Sequence, residues 1–453
     1  MFSRLMLALY SVLMWLAQPL LKSKIARRAV HEPLYAQAVN ERFGYYTEPA
    51  PPNDGNTLWV HAVSLGEVGA AAILLTELRV HLPNMRLLLT HGTATGREAG
   101  RKLMQAGDLQ VWLPWDTPQA VHRFLRHFQP RLGVLMETEV WPNLVAACAV
   151  DGVTLVLANA RLSDKSLRQA ERLSRLARPA FAALHAVWAQ TENDARRLRS
   201  LGAPVQGVFG NLKFDATPDA AQLALGKAWR AASARPVVVL ASARAGEERM
   251  LLSALKEKWP LSKTAKDLSA IQNGANVDLQ AHAVQWLIVP RHPQRFDEVA
   301  ALITAHGFSL SRRSDWGQAS NSAPLEADIW LGDSMGEMAL YFGLSDLALL
   351  GGSFERLGGQ NLIEAAACGC PIVLGPHIYN FAQAAEQAIK GGAAQSATDM
   401  AHGVQTALEW LRLPADQAQA SKQANAFAQA HRGAALKTSQ AILKSLERKV
   451  EKT

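Results

Sequence analysis

Three cysteines in 453 residues, Cys148, Cys368 and Cys370, are too few for a disulfide framework and have no zinc-site spacing. That scarcity fits a reducing compartment. Charge is sparse as well: 19 % of the residues are charged against 49 % hydrophobic, which excludes a disordered or low-complexity chain. The 31 glycines and 21 prolines follow no period, so collagen-like and linker-dominated chains are excluded too. No Walker motif, Asp-x-Asp or His-Glu-x-x-His occurs, and the sequence calls for no metal and no cofactor. Acids are outnumbered, 39 to 47, and the resulting +8 predicts a surface that attracts anions: nucleic acid, anionic lipid or a phosphorylated substrate.

Uncharged sequence runs longest at the start. From Leu5 to Leu21 no residue is charged; Arg4 precedes the run, and Lys22, Lys24, Arg27 and Arg28 follow it. Seventeen residues sit at the lower edge of a membrane span, and Pro19 weakens the last turn, so a short span and an interfacial helix both fit. The basic cluster follows the apolar run and no small-residue cleavage site appears, unlike a signal peptide. By the positive-inside rule the body then lies on the cytoplasmic face. Residues 1–24 are therefore expected to form a membrane anchor, with a buried N-terminal helix as the alternative.

Beyond Pro52, short apolar runs alternate with helix-length segments. Leu58–Val63, Met85–Thr90, Val111–Leu113, Leu132–Met136, Thr154–Ala158 and Ala186–Ala189 read as one series of strands. Val237–Ala241, Trp286–Val289, Asp328–Leu331, Leu347–Leu350 and Pro371–Leu374 read as a second. Strands apolar throughout and separated by helices belong to parallel sheets covered on both faces. The expected fold class is α/β, two facing doubly wound (Rossmann-like) domains at 25–210 and 211–430, with a helical tail at 431–453. The polar stretch Lys256–Gln285 reads as a surface insertion. In such a pair of domains, ligands belong to the loops at the carboxyl ends of the strands.

Those loops hold the candidate chemistry. HAVSLGEVG (61–69) leads from a strand into a helix, and Glu67 stands at the helix mouth, either as a reactive carboxylate or as a first-turn acid favoured by the helix dipole. THGTATGR (90–97) is a Gly/Thr loop suited to an anionic or polyhydroxy ligand. In ETEVWPN (137–143), Glu137 and Glu139 are acid/base candidates or caps ahead of Pro142. In VPRHP (289–293), Arg291 between prolines suits phosphate, or a surface ion pair. GGSFERLGGQNLIE (351–364) leads through four glycines into a helix; its amides suit phosphate, while Asn361 and Glu364, three apart, suit ribose or base. Cys368 and Cys370 read as packing residues. His91, His292 and His377 are ligand contacts or satisfied loop residues.

The motifs HAVSLGEV, THGTATG, METEVWPN, NARLSDKS, VFGNLKFD, VPRHPQRF, GDSMGEM and GGSFERLGGQNLIEAAACGCPIVLGPHIYNF, in this order from about Arg42 to His431, closely resemble the bacterial Kdo (3-deoxy-D-manno-octulosonic acid) transferases. The resemblance implies a GT-B type glycosyltransferase that moves Kdo with inversion from CMP-Kdo to a lipid A precursor in lipopolysaccharide synthesis. It implies no metal, no cofactor and no nucleic-acid partner, and an inner-membrane surface as the place of work. It assigns Glu67 as catalytic base. Lys213, Pro290, Arg291, Gly352, Ser353, Gly359, Gln360, Asn361 and Glu364 fall to the donor; Ser64, Gly66, Thr93, Thr95, Arg97, Glu137, Glu139 and Arg161 are the acceptor-side candidates. Gln360 and Leu362 stand where the family commonly has His and Pro. A nucleotide-sugar epimerase of similar fold and a non-catalytic sugar-nucleotide receptor are the competing classes.

Overall fold

In the computed structural model, residues 2–258, 283–316 and 326–450 are described; most of the expected insertion, 259–282, lies outside them. The described residues divide into two compact units, Met1–Asp215 with His431–Thr453, and Ala216–Ala430.

The first unit is built on a parallel sheet of β1 (Thr57–His61), β2 (Arg86–His91), β3 (Leu109–Trp112), β4 (Leu132–Met136), β5 (Thr154–Ala160), β6 (Ala186–Ala189) and β7 (Val205–Val208), in the order 3-2-1-4-5-6-7. Every residue of β1, β4 and β6 is buried, as a sheet covered on both faces demands. Trp59, Phe124 and Leu144 pack on one face, Leu74, Leu78 and Trp188 on the other.

In the second unit, β8 (Val237–Ala243), β9 (Gln285–Pro290), β10 (Leu310–Arg312), β11 (Ile329–Leu331), β12 (Leu347–Leu350), β13 (Ile372–Leu374) and β14 (Ala394–Ser396) form a parallel sheet in the order 10-11-9-8-12-13-14. All eleven apolar runs read from the sequence are strands. β7, β10 and β14 were not anticipated. They are three or four residues long, β10 and β14 lie at sheet edges as β7 does, and each is part exposed, so none carries a continuous apolar run.

The ends of the chain depart from expectation. Residues 211–215 belong to the first unit, where Leu212 is fully buried and the Asp215 carboxylate accepts the amides of Gly433 and Ala435 at the start of helix Ala434–Val450. That helix is no separate tail: Ile442 and Leu446 join the core beside Leu74 and Leu78. At the other end, helices Phe2–Leu16 and Gln18–Ala29 meet at a 48° bend, with Pro19 in the first turn of the second. No single helix among the described residues is long and apolar enough to cross a membrane; by length and composition only this bent pair passes that test. The first helix is not detached from the body. It lies against helices Pro142–Val150 and Ser174–Ala182 of the first unit.

Candidate active site

Strand order in the first sheet reverses between β1 and β4, the position where open α/β sheets bind ligands. The loops leaving these two strands carry the acids. Behind β1, the Ser64 hydroxyl accepts the Glu67 amide at 3.4 Å and caps helix Leu65–His81. One oxygen of the Glu67 carboxylate turns back to accept the Val63 amide at 2.6 Å, and the other has the Ser64 hydroxyl at 3.4 Å. The candidate base thus also ties down the entry of the helix that Ser64 caps. Burial pushes the Glu67 carboxyl up to about 7 against the pull of the Val63 amide; the charges of Glu137 and Glu139 add to the rise, and Lys213 opposes it.

Behind β4, Glu137 is buried and holds a left-handed backbone, φ 56°. Its amide donates to Ala158 and its carbonyl accepts from Arg161, so the loop is stitched to the end of β5. Its carboxylate pairs with Lys213 at 3.3 Å and Arg161 at 3.2 Å. Glu139 accepts the Trp141 indole N–H at 3.0 Å, and burial raises its carboxyl. Lys213, expected in a C-terminal donor domain, arrives instead from the turn Leu212–Asp215 behind β7. Its ammonium lies 3.6 Å from where a Gly66 side chain would begin. Three carboxylates and two cations therefore converge from four loops.

The Gly/Thr loop braces this site. The Thr93 hydroxyl donates to the Val63 carbonyl at 2.7 Å and caps the next helix, with Thr95 Oγ1 3.4 Å away. A Cβ on Gly96 would stand 2.4 Å from the same carbonyl, so only glycine allows the approach. Arg97 is held by Glu41 at 3.0 Å and over the Trp112 ring, away from the acceptor role expected of it. His91 is fully buried, with ring contacts to the Ala62 carbonyl and Gln110, which makes it a structural residue.

In the second unit the strand order reverses between β8 and β12, and the glycine-rich loop leaves β12. Its amides were expected to be open to phosphate; the structure gives many of them other partners. The fully buried Glu247 carboxylate accepts the amides of Gly352 at 2.7 Å, Phe354 at 3.0 Å, Glu355 at 3.3 Å and Arg244 at 2.8 Å. The Gly359 and Gln360 amides close the loop on Gly352 and Gly351. A carboxylate of the chain fills the role anticipated for a phosphate. Ser353 is buried, donating to Leu350 and accepting from Gly375, and so is withdrawn from the donor set expected of it. Asn361 caps the helix at Ile363 with its side-chain oxygen, 3.2 Å.

What remains open here is basic. Burial lowers the His292 imidazole, and Arg244, Arg291 and Arg295 add to the lowering, which marks the turn behind Pro290 as electropositive. Arg295 is itself held by the buried Glu248 at 2.6 Å. Glu364 is raised by burial, and the nearby charge of Arg291 pulls against that rise. Arg244 and Glu247 were missed in the sequence because SARAGEE (242–248) reads as an ordinary helix entry, with acids in the first turn. Among the described residues no three His, Cys, Asp or Glu side chains are grouped to hold a metal ion.

A family model described as 3-Deoxy-D-manno-octulosonic-acid transferase (kdotransferase) matches residues 37–216. The chain is 45 % identical to the 3-deoxy-D-manno-octulosonic acid transferase of Bordetella pertussis, over 92 % of this chain and 93 % of that one. With the Haemophilus influenzae transferase of the same name it shares 33 % identity, over 82 % of each. A crystal structure of UDP-GlcNAc 2-epimerase from Neisseria meningitidis superimposes with TM-score 0.52 at 14 % identity, covering 86 % of this chain and 100 % of that one, a likeness of fold alone. With these acids and cations at its strand ends and this identity along nearly its whole length, the chain belongs to the 3-deoxy-D-manno-octulosonic acid transferases, a family of glycosyltransferases.

Proposed function

We propose that this enzyme transfers Kdo with inversion from CMP-Kdo to a hydroxyl of a lipid A precursor. The observation that carries the reading is Glu67, a carboxyl held near neutrality beside Glu137, Glu139 and Lys213 at the switch point of the first sheet. A base that titrates near the working pH is matched to removing a hydroxyl proton. In the reaction, Glu67 takes that proton as the acceptor oxygen attacks C2 of Kdo. The bond from C2 to the phosphate oxygen breaks, and CMP leaves with the electron pair. Arg244 and Arg291 supply positive charge for the leaving phosphate, Asn361 and Glu364 serve the nucleoside, and the reading asks for no metal or cofactor. Lys213 serves the first unit, where its ammonium pairs with the Glu137 carboxylate at 3.3 Å.

The lipid acceptor gives the N-terminus a purpose. On helix Phe2–Leu16, Leu5, Leu9, Val12, Leu13, Trp15 and Leu16 are 51–65 % exposed, and the exposed Lys22, Lys24, Arg27 and Arg28 follow. An apolar face with a basic cluster suits an anionic membrane surface, here the cytoplasmic face of the bacterial inner membrane. The test is mass analysis of a tetraacylated lipid A precursor after incubation with CMP-Kdo and purified protein. A product heavier by one or more Kdo units, with CMP released only when acceptor is present, is expected. CMP-Kdo bound without turnover, or consumed without acceptor, overturns the reading.

A further inference from the structure

Helix Ala434–Val450 starts behind Gly433, which has no side chain to cap it. The cap comes from Asp215, 218 positions before that glycine: one carboxylate oxygen accepts the Gly433 amide and the other the Ala435 amide, both at 2.5 Å. A carboxylate at a helix N-terminus satisfies amides that have no partner within the helix, and the dipole favours its charge. Caps lent by a distant segment recur in this unit. Helix Pro142–Val150 takes its own from Asp116, which accepts the amides of Asn143 at 3.0 Å and Leu144 at 2.8 Å. Asp215 differs in what stands beside it, because it closes the turn Leu212–Asp215 that presents Lys213 to Glu137. That turn is held at both ends. At its start the Leu212 amide donates to Asn159 Oδ1 at 3.0 Å, and the Leu212 side chain is fully buried. At its end Phe214 stacks on His431, with ring centroids 4.9 Å apart, and Asp215 grips the helix.

We propose that Asp215 is a positioning residue for Lys213: by clamping the turn to helix Ala434–Val450, it fixes where the ammonium meets the acceptor-side acids. The inference rests on the reading of Glu67 as the base. The clamped helix is itself packed on the one that carries Glu67, since Ile442 and Leu446 share a core with Leu74 and Leu78 of helix Leu65–His81. Base and cation are therefore referenced to one packed pair of helices, within the first unit. The chain leaves that unit after Asp215 and re-enters it at His431, so the clamp also ties the departing segment to the returning one. With one carboxylate oxygen removed, one of the two amides is stranded and the end of the turn gains freedom. The 3.3 Å separation of the Lys213 ammonium from the Glu137 carboxylate then spreads.

The experiment uses the whole chain with CMP-Kdo and lipid A precursor in detergent micelles. Rates are taken across pH for wild type, Asp215→Asn, Lys213→Gln, the double variant, and Ile442→Val as a control in the same helix. Asparagine offers one oxygen to two amides, and Asp215→Asn is expected to lower kcat/KM for the acceptor about tenfold, the usual effect of losing a hydrogen bond to a charged group, with CMP affinity unchanged. The pH profile separates positioning from folding. Glu67 faces Glu137 and Glu139, which hold its carboxyl up, and Lys213, which opposes them, so a displaced ammonium moves the acidic limb to higher pH by about half a unit. A smaller folded fraction scales the profile without moving it, which is the result expected of Ile442→Val. In Lys213→Gln the limb moves further, and adding Asp215→Asn moves it no more. Asp215→Glu, with both oxygens on a stem one methylene longer, guards against a variant that fails to fold and should move the limb the same way. An unmoved limb in Asp215→Asn and Asp215→Glu, or a shift that adds to that of Lys213→Gln, overturns the clamp. Glu67→Gln is run alongside: if it turns over normally, the assignment of the base has failed instead.

Discussion

Glu67→Gln separates rate from stability in a way fixed by the geometry. The amide keeps an oxygen for the Val63 N–H, so the helix entry retains its cap. What it loses is the ability to accept a proton, and turnover is expected to fall at least ~100-fold. Stability moves the other way. A carboxyl whose folded value is raised from 4.5 to about 7 binds protons more readily in the folded state than in the unfolded one. The wild type therefore loses stability as pH rises through that window, by at most ~3 kcal/mol at 1.36 kcal/mol per unit. Partial exposure of Glu67 and the loss of a charge-assisted bond reduce the variant's gain, leaving a rise in melting temperature of a few degrees above pH 7. Assay and melting curve are taken across pH 4.5–9. The difference in melting temperature should be smallest near pH 4.5, grow to about pH 7 and then level off, while the wild-type acidic limb of kcat/KM vanishes in the variant. A variant that melts lower at pH 8 and turns over nearly normally refutes the reasoning, and the base must then be sought at Glu137 or Glu139.

Other perturbations test the remaining parts. Glu247→Ala strands the buried amides of Gly352 and Phe354, at about 1–3 kcal/mol each before relaxation, and the part-buried amides of Glu355 and Arg244, so calorimetry should show a loss of several kcal/mol together with loss of CMP binding; Glu247→Gln should fall between. Arg291→Ala should weaken CMP binding on the order of 2 to 5 kcal/mol by isothermal titration while leaving lipid capture intact, and unchanged affinity would move the phosphate site elsewhere. Gly96→Ala places a methyl 2.4 Å from the Val63 carbonyl; a destabilisation of ~1–3 kcal/mol in denaturant titration, with turnover reduced because Val63 carries the Glu67 bond, is the expected result.

How far the sequence led depends on which residues do the work. Central strands announce themselves because burial on both faces requires unbroken apolar runs, as in Leu132–Met136 and Leu347–Leu350. The strand-end loops were legible for a related reason: glycine, serine and threonine clusters follow each run. Lys213 was legible as a candidate but not as a neighbour of Glu137, since 76 residues separate them and the local composition at Gly210–Pro218 suggests a boundary. The capping carboxylates Asp116 and Glu247 escaped because they act on amides 27 and 105 positions away, and nothing in WDTPQ or RAGEE marks that reach. Ser353 misled in the opposite sense. A serine in a glycine-rich turn looks ligand-facing, yet its hydroxyl joins two ends of the same loop.

Three of the five strained non-glycine residues lie at strand ends of the candidate site. Ala38, Gln129, Glu137, Asn159 and Ser242 are the non-glycine residues with positive φ among those described, and the last three stand at the carboxyl ends of β4, β5 and β8. Asn159 and Ser242 lie inside two of the three stretches where strand register shifts, Leu157 to Ala160 against β6 and Leu240 to Ala243 against β9. A bulge at a strand end re-aims the chain that follows. Behind Asn159 this directs Arg161 to Glu137, and the Asn159 side chain takes the Leu212 amide at 3.0 Å, seating the turn that presents Lys213. Behind Ser242 it directs the Arg244 amide to Glu247. Each left-handed residue costs on the order of 1–3 kcal/mol, and the fully buried strands around it offset that cost. The two units thus use the same device: a sheet supplies rigidity, and a strained residue at a strand end turns that rigidity into a fixed aim for the chain behind it. Asn159→Gly relieves the strain and also removes the side-chain oxygen that accepts the Leu212 amide; it should leave the sheet intact but free the Lys213 turn, so that the Glu67 carboxyl, no longer opposed by a fixed ammonium, titrates above about 7 and the acidic limb of the rate profile moves up with it.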